Sequence, residues 1–319
     1  MLAGSSFLTE QHEYEAFISR FLAIRKSYRD GRRAPHKPLL VLLALAKLQA
    51  GGPRLLCFSE IEGALRELLQ RFDRPQRSGA VQAELPFWHL QAPGIWEFED
   101  PGRVAEIASK RARGRPTRKD LEEHDVAAGF PAEVFDALSN DRALRQELAA
   151  RLLEDNFPPS LHEPILDSIG FQWEVVPERV CTSRLKRNPA FRSSVLDAYE
   201  YKCAVCGFDA RLANVPLAIE AAHIRWHSHE GPDSIDNGLA LCSLHHRALD
   251  AGGLGLDEEH CVRVSPALSG AKEVERTLLY FAGKELRPPA GTNPSPAAAH
   301  IAWHSREVFR NEAPREEVC

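Results

Sequence analysis

Apolar residues recur at helical spacing through most of the first half of this 319-residue chain. "TEQHEYEAFISRFLAIRKSY" sets them three and four apart, the repeat of one helix face. "HKPLLVLLALAKLQAGG" is apolar all round, which predicts a helix inside a core rather than on a surface. Pro38 falls in its first turn and Gly51-Gly52 ends it. "SEIEGALRELLQRF" predicts a further helix opened by a capping box of Ser59 and Glu62. In "PFWHLQAPGIWEFED" two aromatic-rich runs flank Pro-Gly and predict a β-hairpin. "PAEVFDALSNDRALRQELAARLLEDNF" returns to one or two helices. The following "FPPSLHEPILDSIGFQWEVVPERVCTSRLKRNP" is broken by prolines, loses periodicity and ends basic, so it predicts a transition between domains. "AFRSSVLDAYEYKC" predicts a helix, followed by short strands and a weakly patterned tail after about residue 285.

Length changes this picture by allowing two domains, each with its own core. We expect them at 1–165 and 188–319, with a linker at 166–187. The net charge of −5 does not mark a nucleic-acid binder, but its distribution does more. "SRFLAIRKSYRDGRRAPHKP" is dense in Arg and Lys against a single acid, and "SKRARGRPTRK" has no acid at all. Two such runs in one half point to a polyanion partner. The longest apolar run, "PLLVLLALA", is far short of the ~20 residues that span a bilayer, so no membrane partner is expected. Cys57, Cys181, Cys261 and Cys319 have no partner at metal-ligand spacing, which leads us to expect a reducing cytoplasm.

The remaining cysteines carry chemistry. Cys203-x-x-Cys206 and Cys242-x-x-His245 lie 36 residues apart. Three thiolates and one imidazole are what a tetrahedral structural Zn2+ needs, and Gly207 suits a tight knuckle. His246 follows at once. Neighbours on a helix point about 100° apart, so His245 and His246 cannot easily serve one site: either one is incidental or two sites meet at this helix.

The second site is read from the residues between the two pairs. "AIEAAHIRWHSHEGPDSIDNGLALCSLHHRALDAG" presents His223 ending a strand-like run, Asn237 in a turn and His246 on a helix. Across about residues 200–265 this resembles the HNH endonucleases of the zinc-stapled subtype, with their ββα-metal fold. The resemblance implies His223 as general base, suited by an imidazole pKa of ~6.5. It implies Asn237 as the residue that pins the loop, and His246 as a ligand of catalytic Mg2+ or Mn2+. Asp250, four residues on and on the same helix face, is a further candidate ligand. Many HNH enzymes place a ligand directly before the base, where this chain has Ala222. Strand alternation puts Glu220 on the same face as a substitute. His227 and His229 are expected to be exposed loop residues.

"RRAPHKPLLVLLALAKL", "ELPFWHLQ" and "GIWEF" together resemble, over about residues 10–165, the sulfur-binding domain of the phosphorothioate-dependent, McrA-like restriction endonucleases. The implied architecture is α+β: a mostly helical DNA-binding domain with a β-hairpin, then the HNH domain. Sulfur is larger, softer and a poorer hydrogen-bond acceptor than oxygen, so a small dry cup flanked by cations tells them apart. The resemblance assigns that cup to His36, Lys37, Leu85, Pro86 and His89, with Leu85 standing where the family often has tyrosine. Arg32 and Arg33 would meet phosphates. Ser109, Lys110, Arg111, Arg113 and Arg115 lie in the second basic run, whose arginines would reach base edges. The implied partner is double-stranded phosphorothioate DNA; one HNH site cuts one strand at a time, so cutting both takes a homodimer or two sequential visits. The rival readings are a methylcytosine-dependent HNH endonuclease and a zinc-stabilised DNA-binding regulator without catalysis.

Overall fold

The computed structural model describes residues 14–24, 27–29, 32–72, 81–91, 94–173 and 189–311. They form two compact units, Met1–Asn156 with Glu163–Ser183, and Phe157–His162 with Arg184–Cys319. The segment expected as a linker falls partly on a helix and partly outside the described residues.

The first unit runs α1 (14–22), β1 (Ser27–Arg29), β2 (Arg32–Ala34), α2 (His36–Gln49), β3 (Leu55–Cys57), α3 (Phe58–Phe72) and α4 (Glu84–His89). It continues with β4 (Glu97–Phe98), α5 (Pro101–Ser109), α6 (Arg118–Glu123), β5 (Ala127–Gly129), α7 (Ala132–Asn140) and α8 (Arg142–Asn156), and takes in α9 (Pro159–Ile169) from Glu163 on. The all-round apolar pattern of α2 is explained by its place. Leu39, Leu40, Val41, Leu42 and Leu45 have no exposed surface, because α3, α4, α7 and α8 lie around the helix. The small sheet runs β3-β5-β4. At Gly129 of β5 a Cβ would stand 2.0 Å from the Arg54 carbonyl oxygen, so the strands approach only with glycine there.

Three sequence expectations are corrected here. The aromatic hairpin does not form: Glu84–His89 is helical, and β4 pairs with β5 about thirty residues away. The aromatic residues satisfy burial without pairing as strands, since Phe87 meets Phe58, Phe98 and Trp96 at 5.0, 5.9 and 6.1 Å. The hairpin of this unit is β1–β2, with Arg29 opposite Arg32 and only Asp30 and Gly31 between them. Asp-Gly is a strong hairpin dipeptide. Second, α3 begins at Phe58, directly after β3, which puts Ser59 inside the first turn and leaves no capping box. Glu62 instead turns its buried carboxylate to Arg66 (3.2 Å) and Arg118 (3.3 Å). Third, α9 forms with Pro164 inside it. Full burial of Ile165 outweighs the missing backbone bond.

The second unit opens with α10 (Pro189–Ala198) and the β6–β7 hairpin (Arg211–Leu212, Val215–Pro216). Then β8 (Ile219–His223) pairs antiparallel with β9 (Gly238–Cys242), from Ile219 opposite Cys242 to His223 opposite Gly238. Helix α11 (Ser243–Asp250) follows without a break, so strand, strand and helix make the ββα core. A hairpin of β10 (Leu254–Leu256) and β11 (Val262–Val264), α12 (Lys272–Thr277) and α13 (Ala298–Glu307) complete it. As far as residue 311, the weakly patterned tail is therefore part of this unit's structure. The Ala297 amide bonds the Asp236 carbonyl at 2.9 Å, the His304 ring bonds the Leu249 carbonyl at 3.0 Å, and the Arg310 amide bonds Gly252 at 3.0 Å. No helix among the described residues is long and apolar enough to cross a membrane.

Candidate functional site

His223 ends β8 and His246 sits one turn into α11, which follows β9 without a break; the charge of Asp250 on that helix acts on the His223 ring. His223 Nε2 lies 2.9 Å from Asp233 Oδ1. A carboxylate only accepts, so Nε2 carries the proton and the Nδ1 lone pair is left for chemistry. Burial holds the His223 pKa below the ordinary imidazole value, although Asp233 pulls the other way. The His227 ring stands 5.9 Å away, edge-on and exposed. His229 departs from expectation: its ring packs between Trp226 (5.6 Å) and Trp303 (5.5 Å).

Asn237 has no exposed surface. Its carbonyl oxygen accepts the Arg225 amide at 2.8 Å, and its amide group donates to the carbonyls of Arg225 (3.0 Å) and Pro232 (2.9 Å). One side chain thus closes the loop that follows His223 from both ends.

His246 stands between two carboxylates, Glu220 at Nδ1 (2.6 Å) and Asp250 at Nε2 (3.2 Å). Strand alternation does carry Glu220 across to the helix, while Ala222 on the same strand is wholly buried. Ser243 donates to the other oxygen of Glu220 at 2.8 Å and so orients that carboxylate. Burial opposes charge on His246, but its bonds to Asp250 and Glu220 prevail and raise the pKa to about 9. Two carboxylates and an imidazole are hard donors that suit a divalent cation. They approach the ring from opposite edges, so a shared ion requires the ring to lose a proton and the carboxylates to regroup.

The four zinc-type residues meet at the start of α11. Cys203, Cys206, Cys242 and His245 place one ligand atom each within 4.8 Å of one another, the one such group among the described residues. His245 Nδ1 lies 3.1 Å from the Cys242 sulfur, and its Nε2 bonds the Thr277 carbonyl at 3.0 Å. That outer bond places the proton on Nε2 and turns the Nδ1 lone pair toward the thiols, the orientation a ligand needs. Hydrogen bonds from Cys206 and Cys242 hold Cys203 well below the ordinary thiol range. Gly207, at φ +73°, turns the chain directly after Cys206. The donor set fits a structural metal.

In the first unit His36 and Lys37 start α2, and Lys37 is buried. Helix α4 lies beside α2. On it Leu85 is half-buried, Pro86 is buried and His89 is exposed. Although its surface is open, the atoms packed around one side of the His89 ring partly desolvate it and lower its pKa, and the charges of Lys37 and then Arg115 lower it further. His89, Lys37 and Arg115 therefore share one electrostatic neighbourhood, which the sequence did not reveal for Arg115. Arg111 is a different case. Its guanidinium holds both oxygens of the buried Asp120, which also caps α6 through Thr117, and the Asp120 carboxyl sits far below the usual carboxylate range. Arg111 is thus tied to Asp120 within its own domain, with about half of its side chain still exposed. Lys110 pairs with Glu106 at 2.6 Å, Ser109 donates to the Glu106 carbonyl at 2.7 Å, and Arg113 is exposed. Arg32 and Arg33 lie on β2 by backbone position, and their side chains fall outside the described part.

Residues 14–174 match the family described as "ScoMcrA-like, DNA sulfur-binding domain", and residues 203–257 match "HNH endonuclease". No curated protein matches the chain. Similar solved structures include "Sulfur binding domain of ScoMcrA complexed with phosphorothioated DNA", at 26% identity over 49% of this chain and 95% of that one, TM-score 0.39. "Structure of the Type IV phosphorothioation-dependent restriction endonuclease ScoMcrA" is 25% identical over 48% of this chain and 32% of that one, TM-score 0.38. "Modification dependent TagI restriction endonuclease" is 24% identical over 40% of each chain, TM-score 0.28. The chain spans nearly all of an isolated sulfur-binding domain and about a third of the ScoMcrA enzyme.

Proposed function

Because this chain belongs to the family of ScoMcrA-like DNA sulfur-binding domains and carries an HNH endonuclease domain after it, we propose that it is a modification-dependent restriction endonuclease. Its first unit binds double-stranded phosphorothioate DNA, and its second hydrolyses a nearby phosphodiester. The observation that carries the catalytic half is the arrangement in one ββα unit of His223 with Asp233, Asn237 beneath their loop, and His246 between Glu220 and Asp250.

His223 Nδ1 takes the proton from the attacking water, and Asp233 stabilises the imidazolium that forms while keeping the ring in its reactive tautomer. Asn237 holds the loop so that this ring keeps its aim. Glu220, His246 and Asp250 would hold Mg2+ or Mn2+; when bound, such an ion neutralises charge gathering on the phosphate and the leaving oxygen. Cys203, Cys206, Cys242 and His245 would hold Zn2+ as a staple without a chemical role.

For recognition, the buried Lys37 with His36, His89 and Leu85 supplies a cation beside apolar surface, which favours a soft, weakly accepting sulfur over oxygen. Free Cys57 and Cys261 suit the reducing cytoplasm. One HNH site cuts one strand, so double-strand cleavage calls for two copies of the chain or two successive visits by one. The test is incubation of phosphorothioate and unmodified plasmid with Mg2+ or Mn2+. Wild type should cut only the modified DNA, and His223→Ala neither. A preference for methylcytosine, or binding blind to sulfur, would sink the assignment.

A further inference from the structure

His223 carries a partner that lies outside the HNH match. Phe191, near the start of α10, lies flat on the imidazole with ring centroids 3.9 Å apart and planes 13° from parallel. Phe191 and Val195 of the same helix are buried, so the contact belongs to the core of the unit. The opposing strand is cut away to allow it. Gly238, paired with His223 across β8–β9, would with a Cβ meet Val195 Cγ2 at 2.4 Å and Phe191 Cε2 at 3.2 Å. Any side chain at 238 would force the Val195 side chain to shift and crowd the Phe191 ring.

The His223 ring is thereby restrained in two independent ways. Asp233 holds its Nε2 in the ring plane, and Phe191 blocks rotation out of that plane. We propose that Phe191 is a positioning residue for the general base: its flat face locks the His223 imidazole in the orientation that presents Nδ1 to the attacking water. This rests on the reading of His223 as general base. A bland role is also defined: if Phe191 only fills the core, any apolar side chain of similar size should serve.

The experiment compares Phe191→Leu, which keeps apolar bulk but loses the flat face, with Phe191→Tyr, which keeps it. Full-length wild type, both variants and His223→Ala are first checked for thermal unfolding and zinc content, then assayed on phosphorothioate plasmid with Mg2+ or Mn2+. Phe191→Leu should lower kcat about tenfold with KM for DNA unchanged, a fraction of what a general base contributes; Phe191→Tyr should stay within about twofold of wild type. A folded, zinc-loaded Phe191→Leu with unchanged kcat overturns the proposal while His223 remains the base. If His223→Ala itself retains cleavage, the base assignment fails and takes this proposal with it. Should Phe191→Leu not fold, Phe191→Met is judged by the same criteria.

Discussion

Asn237 spends all three of its side-chain bonds on backbone groups of one loop, in a place that water does not reach. Asn237→Ala would strand those groups, at a cost of roughly 2–4 kcal/mol in urea unfolding. Asn237→Asp should be worse, because an acceptor would then face the carbonyls of Arg225 and Pro232. His223 sets the pH response at the same scale. Burial lowers its pKa, so the neutral, proton-accepting form persists below the ordinary imidazole midpoint. The acid limb of kcat/KM should therefore have its midpoint below ~6.5, with activity lost only as pH falls through it. Asp233 raises that pKa, so Asp233→Asn should move the limb to still lower pH. It should also cut kcat on the order of 100-fold, since the imidazolium loses its partner. A pH–rate series of plasmid cleavage on both proteins checks both effects; an unmoved limb in the variant would count against the dyad.

Helix α11 carries two sites on two faces: His245 turns to the thiols, and His246 turns to Glu220 and Asp250. The proposed staple and the proposed catalytic cluster are therefore joined by one short rod. A helix of eight residues is marginal alone, and tertiary ties hold it: the cysteine cluster at its start and the His304 bond to Leu249 near its end. Stripping the metal with a chelator, or Cys203→Ser, should abolish cleavage and remove the cooperative unfolding of the nuclease unit. The first unit should keep its own transition in a calorimetric scan, since its core around α2 contains no such cluster among the described residues. Loss of both transitions together would show that the staple has a wider reach.

At the scale of the molecule, recognition and cutting use separate cores, and their variants should separate too. In the full chain, His223→Ala should leave affinity for phosphorothioate DNA unchanged while cleavage disappears. Lys37→Ala should do the reverse, weakening binding by about tenfold or more, as the proposed role of this buried cation in the sulfur cup requires, with residual cutting at low salt. Gel-shift and nicking assays on the same preparations read both. Arg111→Ala should act through stability rather than affinity, because its guanidinium is held by Asp120. A selective loss of DNA affinity in that variant would return Arg111 to the interface.

What could be read from the chain alone was whatever short-range covalent geometry carries. The two metal-type pairs, the divergence of His245 and His246, the shared face of Glu220 and Ala222 and the buried character of α2 all follow from spacings of one to four residues. The ends that meet across loops could not be read this way. Asp233 reaches His223 over ten residues and Phe191 over thirty-two, β4 chose β5 instead of its neighbour, and Asp120 took Arg111. Such partners are selected by loop closure and by which buried polar groups must be satisfied, and neither leaves a local period to detect. Periodicity told which face a side chain takes; only packing decided what waits on the other side.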